Sequence, residues 1–182
     1  SEKDARDVAA RSEELGLKSL ANGGEVGDEN FCKDSVNQII NACGKLDILV
    51  NNAGEQTSQQ SSLNLTQEQL VRTFQSNMFS MFYMVKAALP HMPQNGAIIN
   101  TTSVTAHRGS KNSMDYASTK GPIVPFTRSP SSYDYILEKG IRANGVGPGP
   151  IWTPLNPASV GMDSEKVKHF GEDTPMGPVG HT

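Results

Sequence analysis

Apolar and polar positions along the chain fall into segments of helical and extended period that take turns. Ala5, Val8, Ala9 and Leu15 keep helical spacing, and Gly16 is placed to stop that segment as its C-terminal cap. A short extended run, Leu17 to Ala21, follows. Asp28 can cap a second helix whose apolar face is Phe31, Val36, Ile39, Ile40 and Cys43, with Gly44 at its end; Leu46 to Val50 then reads as a buried strand. Thr66 and Gln69 have capping-box spacing, and Leu70, Phe74, Met78, Met81, Phe82, Val85 and Leu89 line one face of a helix that runs to Pro90. Ala97 to Ser103 predicts a strand, Met114 to Glu138 a helix and Ile141 to Val146 a strand. Beyond a Pro/Gly-rich loop, Ser164 to Phe170 predicts a short helix.

Helix and strand in alternation, with strands too apolar to face water on either side, predict an α/β fold: a parallel sheet with helices on both faces. Ligands of such sheets bind beyond the carboxyl ends of the strands. Three clusters fall at those ends: Asn51 to Gly54, the Thr-rich run to Ser103, and Pro148-Gly149-Pro150. Their coincidence predicts a functional cleft.

Composition narrows the picture. The 182 residues, 36% apolar with 17 glycines, suit one domain spanning 1–182 with a buried core. Lys plus Arg is 16 against Asp plus Glu 19, a net charge of -3 with no basic block, which argues against a nucleic-acid partner. The most apolar stretch, Met78 to Leu89, is broken by Ser80 and Lys86 and is shorter than the ~18 residues of a membrane span. Cys32 and Cys43 share one helix and would be roughly 16 Å apart, beyond disulfide reach. A reducing, cytoplasmic setting fits. The chain opens SEKDARDVAAR, without an initiator Met or an apolar signal stretch, which predicts that the true start lies upstream.

Tyr116 and Lys120, in YASTK, are four apart and share a helix face. A free phenol has a pKa near 10, and a neighbouring ammonium favours the phenolate, so the pair is expected to form an acid/base unit with the Tyr116 pKa lowered by Lys120. Ser103 lies thirteen residues earlier at the mouth of a strand, and Asn77 projects from an apolar helix face where a polar side chain needs a partner. His107 is too near Ser103 in sequence to assume a hydrolase triad with Asp115, and His169 and His181 lack zinc-ligand spacing, so no metal site is expected.

With NNAG after a strand, Ser103, YASTK and PGPIWT in order, the chain resembles the classical short-chain dehydrogenase/reductase family over essentially its whole length. NNAGEQ, FSMFYM, INTTSVTA, GPGPIWTPLNPAS and EKVKHFG look most like the stress-associated and glucose/ribitol dehydrogenase-like members. The resemblance implies a Rossmann-type doubly wound parallel sheet and interconversion of a carbonyl and an alcohol with NAD or NADP. Tyr116 would be the general acid/base. Ser103 would hydrogen-bond the substrate oxygen, Lys120 would hold the nicotinamide ribose, and Asn77 would anchor a water linking Lys120 to solvent. Asn51, Ala53 and Gly54 would border the adenine-side ribose, Glu25 and Val26 the adenine. Pro148 and Gly149 would belong to the cofactor wall, and Ile151 with Thr153 would meet the carboxamide. A small-molecule substrate and a homo-oligomer, dimer or tetramer, are the implied partners, the subunit interface lying on the helices from Thr66 to Leu89 and from Met114 to Glu138.

Some features depart from the family's pattern. The strand carrying the glycine-rich phosphate loop, the strand after it and the final strand are not in this sequence. Gly145, Gly147 and Gly149 give a G-x-G-x-G run, but Pro148 offers no N–H and no helix opens there, so the run reads as a loop. Glu25 stands where the family usually has Asp. Pro122, Pro125 and Pro130 fall inside the expected Met114 to Glu138 helix, where each would cost on the order of 3 kcal/mol. A catalytically silent relative that keeps the fold is therefore the alternative to an enzyme.

Overall fold

The structure is a computed structural model and describes residues 2–153, 155 and 180–181. The expected Ser164 to Phe170 helix, and His169 within it, lie outside the described residues, as does the side chain of His181. Helices α1 (Glu2–Glu14) and α2 (Glu29–Cys43) precede strand β1 (Ile48–Asn51). Then come α3 (Gln67–Phe74), a π-helical turn (Gln75–Phe79), α4 (Ser80–Ala88) and β2 (Ala97–Thr101). Four short helices, α5 (Thr105–Arg108), α6 (Met114–Lys120), α7 (Ile123–Arg128) and α8 (Asp134–Glu138), lead to β3 (Arg142–Val146). Two-residue strands β4 (Ile151–Trp152) and β5 (Gly180–His181) pair separately in parallel.

Helix α2 forms where its ends are signalled. The Asp28 carboxylate accepts from Asn30 N at 2.7 Å and Phe31 N at 3.4 Å, satisfying donors that the first turn leaves open. At the far end Gly44 takes the left-handed conformation (φ 80°) and its N–H donates to Ile40 O at 2.7 Å. The sheet is parallel in the order β1-β2-β3, with Val50 beside Ile99 and Ile99 beside Asn144. On one face Leu49 and Ile98 close a core with Val36, Ala88, Met92, Ile136 and Ile141. Each of these side chains larger than alanine contributes roughly 1.5 to 3 kcal/mol by leaving water.

Several expectations need correction. Among the described residues the apolar positions of the other face stay in solvent: Ile48 and Val50 are 56% and 55% exposed, and Val146 shares their side of the sheet. Segment 17–21 pairs with no strand among the described residues, and the apolar stripe of α1 stays largely in solvent, with Val8 and Leu15 exposed. The long apolar helix is interrupted by the π-helical turn, where Ser80 N reaches back to Gln75 O. The buried positions are Thr73, Ser76, Asn77, Met78, Ser80 and Met81, while Leu70 and Phe82 of the expected apolar stripe are exposed.

The expected Met114 to Glu138 helix is four pieces, α6, α7, a 3-10 turn (Ser129–Ser132) and α8. Its prolines are not interior. Pro122 is the N-cap of α7, Pro125 lies in that helix's first turn and Pro130 opens the 3-10 turn, positions whose N–H would have no helical partner anyway. Side-chain hydroxyls take the nearby carbonyls: Thr127 Oγ1 donates to Ile123 O at 2.7 Å and Ser129 Oγ to Pro125 O at 2.8 Å. The penalty expected of three interior prolines therefore does not arise.

Candidate active site

Beyond Thr101 the chain leaves β2 but stays tied to the segment after β3, with Thr102 N donating to Val146 O at 2.8 Å and Val104 N to Pro148 O at 3.0 Å. Ser103 is thus fixed at the carboxyl end of the central strand. Its Oγ accepts from Thr105 N at 3.2 Å and from Thr105 Oγ1 at 3.0 Å, and its proton remains for another partner. Helix α6 is clamped to the same strand end from both directions. Thr102 Oγ1 donates to Lys120 O at 2.7 Å, and Lys120 Nζ donates to Thr101 O at 3.0 Å.

Tyr116 and Lys120 sit one turn apart on α6, with Nζ 5.5 Å from the centre of the phenol ring. Both are buried, Lys120 to 3% exposure. Burial pushes the Lys120 ammonium down to about 8. Burial also pushes the Tyr116 phenol above its ordinary range, and the hydrogen bond with Ser103 works the other way. The expectation that Lys120 would lower Tyr116 does not describe this arrangement: loss of hydration dominates at both groups.

Asn77 projects from the π-helical turn into a wholly buried position. Its Oδ1 accepts from Glu55 N at 2.7 Å, while Nδ2 donates to Glu55 O at 2.9 Å and Thr119 Oγ1 at 3.1 Å. Thr119 Oγ1 in turn donates to Tyr116 O at 2.7 Å. The Asn77 amide therefore joins the loop after Asn51-Asn52-Ala53-Gly54 to the helix of Tyr116. Arg72 closes over the same loop, its Nε 2.9 Å from a Glu55 carboxylate oxygen.

These elements surround a cavity of about 740 Å³. Its lining includes Ala53 and Gly54, the set Ser103, Tyr116 and Lys120, and Pro148, Gly149, Ile151 and Thr153. A Cβ on Gly54 would stand 3.4 Å from Asn77 Oδ1 and 3.6 Å from Lys120 Nζ, in ordinary contact with both. Not every expected residue joins. Asn51 is buried with Nδ2 on Asn100 Oδ1 at 2.9 Å, and with Val26 it lines a separate cavity of about 80 Å³. Glu25 is exposed and lines neither; its carbonyl accepts from Asp28 N at 3.0 Å. Gly145 lies within β3, and only Gly147 and Gly149 of the glycine run are loop residues.

The sequence reading missed Asp115 and Thr119 as site supports. Asp115 Oδ2 accepts from Gln69 Nε2 and Thr73 Oγ1, both at 2.9 Å, which docks the start of α6 on α3. That contact explains why Thr66 caps α3 through Gln69 N at 3.1 Å without the reciprocal Gln69 bond: the Gln69 side chain is turned toward Asp115. The signal was a carboxylate beside Tyr116 on a helix face that had to be buried. Asp115 is not joined to Ser103 through His107, which is exposed.

Fold and site define a Rossmann-like α/β chain with a parallel sheet and a Ser, Tyr and Lys set at the carboxyl end of its central strand. The chain belongs to the short-chain dehydrogenase/reductase family: a family model described as enoyl-(acyl carrier protein) reductase matches residues 1–182. An uncharacterized oxidoreductase of Bacillus subtilis, YhdF, is 54% identical over 177 residues, covering 97% of this chain and 60% of its own length. The glucose and ribitol dehydrogenase of Daucus carota is 45% identical over 177 residues, covering 97% of this chain and 56% of its own. The chain thus spans less than two thirds of these relatives. A short-chain dehydrogenase from Burkholderia cenocepacia, solved in complex with NADP, superposes with a TM-score of 0.84 at 28% identity, covering 98% of this chain and 71% of that one.

Proposed function

We propose that this chain carries the proton-transfer and nicotinamide-binding part of an NAD(P)-dependent oxidoreductase that interconverts a carbonyl and an alcohol. The observation that carries the reading is the meeting of Ser103, Tyr116 and Lys120 on one cavity that Ala53, Gly54, Pro148, Gly149, Ile151 and Thr153 also line. The donor set fits the cofactor. Lys120 is buried with one described hydrogen bond and lines the cavity, leaving ammonium donors for the two hydroxyls of a ribose. Ile151 and Thr153 line the same cavity and would meet the carboxamide. When bound, the nicotinamide supplies or accepts a hydride at C4.

The chain's residues handle the proton and the substrate oxygen. In reduction Tyr116 Oη gives its proton to the carbonyl oxygen as hydride reaches the carbonyl carbon, and in oxidation it takes that proton back. Ser103 Oγ donates to the same oxygen and fixes its approach. Because burial holds Tyr116 protonated and brings Lys120 to about 8, the ammonium is an acid of suitable strength to restore the phenolic proton near neutrality. Asn77 keeps the Glu55 loop and Tyr116 in register, and its free Oδ1 lone pair would hold the water of a proton path. A catalytically silent relative loses its proline argument, since Pro122, Pro125 and Pro130 fall at helix starts or in a 3-10 turn.

The test is oxidation of NADH and NADPH by the full-length protein with a panel of small aldehydes and ketones, followed by loss of reduced-nicotinamide absorbance. Turnover with one cofactor is expected; none with either across the panel would sink the reading.

Assembly belongs to the same proposal. Leu70, Val71, Phe79, Phe82 and Met114 leave apolar surface on α3, the π-helical turn, α4 and α6, a patch of the kind that marks an interface. The full-length protein is expected to scatter light as a dimer or tetramer at micromolar concentration, and Phe79→Glu to shift it toward monomer. Unchanged scattering by the variant would remove Phe79 from the interface.

A further inference from the structure

We propose that the carbonyl substrate carries an anionic group, a carboxylate or a phosphate, and that Arg108 binds it; this rests on the reading of Tyr116 as the proton donor. Although the chain is net negative, the large cavity has no Asp or Glu among its described lining residues. Its charged members are Lys120, which is buried, and Arg108, which is exposed. Hydroxyls fill much of the rest: Thr101, Thr102, Ser103, Thr105, Ser110 and Tyr116. An unopposed guanidinium above hydroxyl donors sets a positive potential over the mouth of the site.

Arg108 is held, not trailing. It ends α5, whose first residue is tied to Ser103 Oγ by both Thr105 N and Thr105 Oγ1, and Arg108 N donates to Val104 O at 3.2 Å. The guanidinium is therefore carried by a rigid turn that begins at the substrate-oxygen donor. Some cationic side chains pair with carboxylates, Lys45 with Asp47, Arg72 with Glu55 and Lys86 with Glu29, while Lys33, Lys111 and Arg128 do not. Arg108 has no such partner among the described residues, although it ends a helix where a solvated cation would serve the dipole equally well. A planar fork of donors on the same cavity as Ser103 and Tyr116 suits two parallel bonds to a carboxylate or phosphate.

The experiment compares charge-matched substrates in the full-length protein: succinic semialdehyde against butanal, and glyceraldehyde 3-phosphate against glyceraldehyde. The native protein is expected to favour the anionic member of at least one pair in kcat/KM by about tenfold or more, as a charge-assisted hydrogen-bonded pair allows. Which pair responds separates carboxylate from phosphate. In Arg108→Gln that ratio should collapse through a raised KM for the anion, and Arg108→Lys should recover part of it. A ratio near one in the native protein, a ratio untouched by Arg108→Gln, or a loss confined to cofactor KM would each overturn the proposal, the last assigning Arg108 to the cofactor. If no aldehyde turns over, the proton-donor reading fails on its own. The anion subsite is then decided by succinate and inorganic phosphate: a rise in melting temperature in native protein that Arg108→Gln abolishes supports it, and no rise overturns it.

Discussion

Tyr116→Phe is expected to lower kcat and kcat/KM together by about 10² to 10⁴, the range a positioned general acid supplies. The substitution removes only the phenolic oxygen. Ring packing on Lys120 survives, and so does the backbone bond from Thr119 Oγ1 to Tyr116 O, because it does not involve the side chain. Cofactor affinity, measured by nicotinamide fluorescence, should therefore hold while turnover collapses. A variant keeping more than about a tenth of native kcat would place the proton donor elsewhere.

Lys120→Met should change both chemistry and the pH dependence of stability. Folding takes the Lys120 pKa from 10.5 down to about 8. Between those values the unfolded chain holds a proton that the folded chain has released, so stability rises with pH across that window. The single-group contribution amounts to about 3 kcal/mol at most. Tyr116 acts in the opposite sense at higher pH: its raised pKa means the folded chain keeps a proton that the unfolded one loses, and stability falls from about pH 10 upward. Urea unfolding of the native protein should thus show a rise above pH 8, and Lys120→Met should flatten it. Turnover should fall with it, since the variant can neither hold the ribose hydroxyls nor restore the phenolic proton. An unchanged slope in the variant would show that some other group carries the pH dependence.

Much of the fold was legible because its local signals are self-contained. Asp28, Gly44 and Thr66 act within a few residues of themselves, and each does in space what its position in the sequence foretells. The strand cores at Leu49 and Ile98 were legible for a similar reason: a short apolar run between turns has one good fate. The cleft followed from topology, since a parallel sheet presents all its carboxyl ends on one side.

What escaped depends on partners distant in the chain. Apolarity marked Ile48 and Val50 as buried, yet burial needs a second surface, and none of the described elements supplies it there. Prolines looked harmful to α7 because periodicity cannot tell a helix interior from a first turn. Asp115 was hidden because its partners, Gln69 and Thr73, are more than forty residues earlier. The direction of the Tyr116 shift was missed because spacing reports proximity to Lys120 and is silent about the loss of water around both.

The π-helical turn at Gln75–Phe79 acts as a phase shifter between two gears. Upstream of it, Gln69 and Thr73 on α3 are set by the angle at which they meet Asp115; downstream, Met81 and Ala88 on α4 are set by the apolar clusters they fill. A regular helix advances about 100° per residue, so one additional residue in a turn offsets the two halves by that amount. Site and core can thus impose different rotations on one continuous rod, with Asn77 at the point of slip. Shortening the turn by a single residue would leave either the Asp115 contact or the Met81 packing a quarter-turn out of phase, which makes this segment less tolerant of length change than the loops that border the cavity.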